Sequence, residues 1–149
     1  MIPAEILAIN STTRKVNEAL IGLQKECRKF YEALALSTHH TLPPGTTFTV
    51  GPKSTTGGCF GTAFDLVSKF IAVGDVPAAV EYKVRAVEGD FASTLLCFYQ
   101  WPSGILTRRS DRSDPICETR DEYLAHKLLA RIVHAILNSD RFRPSTQTH

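Results

Sequence analysis

The stretch VEYKVRAVEGDFASTLLCFYQW, residues 80–101, decides the fold. In its first half Val80, Tyr82, Val84 and Ala86 alternate with Glu81, Lys83 and Arg85. That period of two describes a strand with one face on a core and the other in water. Glu88-Gly89-Asp90 supplies a tight turn. Beyond it Leu95, Cys97 and Tyr99 point one way, and Leu96 and Phe98 the other. Apolar on both faces, this second strand reads as the central one. Pro102-Ser103-Gly104 turns the chain again, into a third strand over residues 105–109. Three strands joined by short turns form an antiparallel meander.

Working outward, residues 46–50 place Phe48 and Val50 on one face of a short fourth strand. Residues 51–61 (GPKSTTGGCFG) read as a Gly/Thr/Ser-rich loop. Residues 62–72 show helical spacing through Phe64, Val67, Phe70 and Ile71, closed by Gly74. At the N-terminal end Ile6, Ile9, Thr13, Val16, Leu20, Leu23, Cys27, Phe30 and Leu34 recur three and four residues apart. On a helix they form one narrow seam. This helix is expected over about residues 3–38, with Pro3 at its first position and a kink or new cap at Asn10 to Thr13. Pro43 and Pro44 end it. Downstream, Thr119-Arg120-Asp121-Glu122 reads as a capping box. It opens a helix with Leu124, Leu128, Ile132, Ala135 and Ile136 on one side.

The expected order is therefore α-β-α-β-β-β-α. It predicts an α+β fold of two layers: a mostly antiparallel sheet, three-strand meander plus one short strand, packed by the N- and C-terminal helices. Residues 1–140 read as a single domain and 141–149 as a flexible tail.

A net charge of +2 is too small to point to nucleic acid by itself. Cys27, Cys59, Cys97 and Cys117 lie far apart, with no CxxC spacing that would announce zinc. No basic segment followed by an apolar one opens the chain, and no stretch approaches a membrane span. The expectation is an intracellular protein, cytoplasmic or inside a viral or organellar assembly, with no cofactor, no metal and no membrane partner.

Several residues are candidates for chemistry. Gly57, Gly58 and Gly61 precede the expected helix beginning at Thr62, where free N–H groups favour an anion, and Lys53 adds a cation. Neither GxxxxGK[ST] nor GxGxxG is present. Cys59, in the turn before that helix, is a candidate nucleophile that needs a histidine base. In papain-like enzymes the base lies in later strands, and the strands here contain no histidine. His39-His40-Thr41 resembles one half of the paired HxT motif of two-histidine phosphoesterases, without a second half. Arg108, Arg109 and Arg112 form a basic patch diluted by Asp111 and Asp114.

From the second expected helix onward, the order α-β-β-β-α resembles the layout of double-stranded-RNA-binding domains. The turn that carries Gly-Pro-x-His in that family reads Glu88-Gly89-Asp90 here, and Arg120 to Lys127 is acidic where the family's last helix is basic. RNA binding stays an alternative, as does an anion-binding or cysteine-dependent hydrolase at residues 57–62. The leading expectation is a non-catalytic protein-interaction or assembly subunit, self-associating or binding another protein within a viral, phage or ribonucleoprotein complex. Its contact would centre on Val16, Leu20, Leu23, Phe30, Tyr31 and Leu34 of the seam.

Overall fold

The computed structural model describes residues 2–88 and 91–144. Two helices, α1 (Ala4–Ser37) and α2 (Leu124–Leu137), bracket seven strands: β1 (Thr46–Val50), β2 (Thr55–Cys59), β3 (Thr62–Val73), β4 (Val76–Glu88), β5 (Phe91–Gln100), β6 (Ile105–Thr107) and β7 (Pro115–Glu118). The strands pair antiparallel in chain order, a complete meander in one curled sheet. The class is α+β, as expected. The element order, the strand count and the two-layer packing are corrected: the inner face of a seven-stranded sheet curls round both helices.

The main correction lies at residues 51–73. The expected loop and helix are a hairpin, β2 and β3, in which Cys59 pairs with Thr62. Its two-residue turn, Phe60-Gly61, has φ of 50° and 84°. Positive φ at both central residues is the turn geometry that matches the twist of paired strands. The Phe60 N–H donates to the Gly45 carbonyl at 3.0 Å and holds the turn against the chain entering β1. In β3 the period-two set wins: Thr62, Phe64 and Leu66 are buried, whereas Phe70, a core position on the helical reading, is exposed. Pairing with β4 along most of its length decides between two periods that Phe64 satisfies equally. The α-β-β-β-α layout of double-stranded-RNA-binding domains is therefore not formed.

Three smaller differences have local causes. Helix α1 runs unbroken through Asn10 to Thr13, where the Thr13 hydroxyl, instead of capping a new helix, shares its hydrogen between the carbonyls of Ile9 (3.0 Å) and Asn10 (3.1 Å). Strand β7 is four residues long and starts with Pro115, too short to leave a periodic signal. The capping box is replaced. Asp121 Oδ1 accepts the Tyr123 N–H at 2.8 Å, and α2 opens only at Leu124. Its orphan Ala125 N–H is taken by Ser37 Oγ at 3.0 Å, so the end of α1 caps the start of α2. Of the expected tail, residues 141–144 are described and residues 145–149 lie outside the described residues.

The core is aromatic at its centre. The Phe30 ring lies 4.3 Å from Tyr82, and Tyr82 stacks on Phe98 at 4.9 Å. The buried Tyr82 hydroxyl donates to Gln100 Oε1 (2.6 Å), and Gln100 Nε2 donates to the Glu26 carbonyl (2.9 Å), joining β4, β5 and α1 through satisfied polar groups. Leu124, Leu128, Leu129, Ile132 and Ile136 of α2 close the other side. The outer sheet face is charged and cross-paired: Arg85 grips Asp65 through two hydrogen bonds, at 2.9 and 2.7 Å.

Candidate interaction surface

Helix α1 is two objects in one. From Leu23 onward it is docked, with Leu23, Phe30, Leu34 and Ser37 buried. Residues 4–15 are all exposed, and only Val16, Ala19 and Leu20 are half-buried before Leu23. The 19 residues before Leu23 span roughly 28 Å of helix at about 1.5 Å each. Along this arm the seam continues as Ile6, Ile9, Thr13, Val16 and Leu20. Ile6 and Ile9 are 41% and 55% exposed, which marks the seam here as uncovered. Glu5, Arg14, Lys15 and Glu18 carry balanced charge. Where the arm leaves the sheet, Ala19, Gly22 and Leu23 face Pro77 and Pro102 across a cavity of about 240 Å³.

The seam candidates thus divide. Leu23, Phe30 and Leu34 belong to this chain's own core, and Tyr31 is half-buried beside Phe30 (5.3 Å between rings). Val16 and Leu20 sit at the root of the arm. Ile6 and Ile9, which extend the same seam outward, are the most open members; the exposed Ile2 and Leu7 join them.

The remaining candidates are dispersed. Gly57 and Gly58 lie within β2, Gly61 in the hairpin turn and Thr62 at the start of β3, so the helix whose N-terminus the anion-loop reading assumed is not formed. Lys53 is exposed on the turn between β1 and β2. Cys59 is fully buried, and burial pushes its thiol up to about 11. A nucleophile needs the opposite shift. His40 stacks on Tyr123 at 4.7 Å, and His39 is exposed near the end of α1. Two of the three arginines are engaged: Arg108 Nη1 donates to the Cys97 carbonyl at 2.9 Å, and Arg112 lies 4.3 Å from the Trp101 ring. Arg109 alone of the three makes no side-chain contact of this kind among the described residues. Also among the described residues, no group of three or more His, Cys, Asp or Glu side chains is placed to hold a metal, and no helix is long and apolar enough to cross a membrane.

Cys59 offers a direct check. Its alkylation by iodoacetamide near pH 7.5 is expected to be at least roughly a hundredfold slower than that of an open thiol, rising to the ordinary rate in denaturant. Peptide mass spectrometry of timed samples reads this; fast labelling of the native protein would restore the nucleophile reading. The raised value also has a sign for stability. The folded state holds the Cys59 proton more tightly than the unfolded chain, so this contribution is present below about pH 9 and is lost as pH rises towards about 11.

No protein-family model, no curated protein and no solved structure matches this chain significantly.

Proposed function

We propose that this protein is a non-catalytic assembly subunit whose projecting half of α1 pairs with the same element of a second copy. The observation that supports the reading is the extended seam: the stripe that packs the core from Leu23 to Leu34 runs on through the half-buried Leu20 and Val16 to the exposed Ile9 and Ile6, with no buried member before Leu23 among the described residues. Only Thr13 breaks it. A heptad seam is self-complementary, and balanced charge lets like arms approach.

The energetics fit a reversible contact. Each fully covered aliphatic side chain contributes on the order of 1.5–3 kcal/mol. Ile6 and Ile9, with the still exposed parts of Val16 and Leu20, on each of two arms work against about 4–15 kcal/mol for bringing the chains together. The balance suits association in roughly the micromolar range. Asn10, Ser11, Thr12 and Thr13 are poor helix formers, so an uncovered arm gains from a partner helix.

Light scattering after size exclusion, over loading concentrations of roughly 1–100 μM, tests this. The expected result is a mass rising with concentration to a multiple of the chain mass. A monomer throughout overturns it.

A further inference from the structure

A cleft of about 520 Å³ opens beside the docked half of α1, between that helix and the first three strands. We propose that it binds an amphipathic organic monoanion, a carboxylate carried on a short aryl or alkyl body. The proposal is independent of the arm.

The volume falls within the ~300–1,000 Å³ of small-molecule sites. Its inner wall is apolar: Leu66 of β3, Val50 of β1 and Ala35 of α1, the first buried and the others half-buried. Around this wall stand hydroxyls of Tyr31, Ser54, Thr55 and Ser68. Burial holds the Tyr31 phenol above its ordinary range, partly offset by the neighbouring Ser68, so it remains a neutral donor.

Two cations stand at the rim. Arg28 projects from α1 and Lys53 from the opposite side, on the turn between β1 and β2. That turn is held in place by the Gly51 N–H donating to the Ser54 carbonyl at 2.9 Å and by the pairing of Val50 with Thr55. Among the described residues neither Arg28 nor Lys53 makes an ion pair or a side-chain hydrogen bond. Arg28 does not pair even with Glu32, four residues on and also at the cleft. Two cations and one carboxylate leave a net single positive charge. That balance suits a monoanion, which neutralises the cleft, whereas a phosphomonoester dianion would leave it net negative and must shed more hydration to enter.

The test is titration of the ¹⁵N-labelled full chain with 4-phenylbutyrate, its neutral counterpart 4-phenylbutanol, and phenyl phosphate, followed by amide shifts. Expected are saturable shifts confined to residues 28–35, 50–55 and 66–68. The acid should bind at least about fivefold tighter than the alcohol and tighter than the phosphate. Arg28→Gln with Lys53→Gln, both at exposed positions, should weaken the acid about tenfold and leave the rest of the spectrum unchanged. Equal affinity for acid and alcohol, indifference to the double variant, shifts spread along residues 2–21, or no saturable shift each overturns the proposal.

Discussion

Ile9→Asp with Val16→Asp is expected to leave the monomer folded and to abolish the proposed self-association, whereas Leu23→Glu is expected to unfold the chain. The three positions belong to one seam, and the sequence treats them alike. Their surroundings differ. Ile9 is 55% exposed and Val16 half-buried, so a carboxylate at either keeps its water in the free chain. Between two packed arms the same carboxylates would be desolvated, opposite their own copies. Leu23 is 4% exposed, within the cluster that contains Phe30 and Tyr82. A charge there has no partner, and the cost, several kcal/mol, is a large fraction of a domain stability of about 5–15 kcal/mol. Circular dichroism and light scattering on both variants separate the outcomes. If the Ile9/Val16 variant loses its sheet signal, or keeps the wild-type mass, the arm is not the contact.

Gly57→Ala is strongly destabilising and Gly58→Ala nearly neutral, although the residues are neighbours. A Cβ on Gly57 would lie 2.3 Å from Phe64 Cζ and 2.4 Å from the Thr47 carbonyl oxygen. The first contact pushes on a ring buried at 1% exposure, and the second on the backbone of the paired strand. Neither yields cheaply, and overpacking of this kind costs about 1–3 kcal/mol or more. A Cβ on Gly58 meets Thr47 Oγ1 at 3.4 Å and the Thr62 carbonyl oxygen at 3.6 Å, an ordinary contact. Alanine there also removes a strand glycine, which offsets any small strain. Denaturant midpoints at unchanged m-value measure the difference. Equal, small effects would return residues 57 and 58 to the flexible loop that their composition suggests.

The glycine pair shows why the site was harder to read than the fold. Gly57 is required by the ring of Phe64 and by a carbonyl in another strand, neither of which has a signature in the Gly-Gly dipeptide. A loop cradling an anion, and a strand crossed closely by a side chain, call for the same residue. Cys59 follows the same logic: two residues further on, its sequence neighbours suit a turn before a helix, and in β2 it is a buried thiol.

What the sequence determined by itself is the set of segments with a single admissible period. Residues 80–86 alternate strictly, 91–100 are apolar on both faces, and the seam of α1 and the apolar face of α2 repeat at helical spacing. Local chemistry alone accounts for these. Residues 62–73 carry both periods, since Phe64, Val67, Phe70 and Ile71 suit a helix, and Phe64 and Leu66 suit a strand. Only pairing with β4 resolves them, because its hydrogen bonds and side-chain contacts come from residues distant in the chain. The same holds for α2, whose first cap is Ser37, 88 residues from Ala125. It holds above all for α1. Its seam is continuous in the sequence, and where core ends and free arm begins is set by how far the sheet extends beneath it, a length that belongs to the tertiary structure alone.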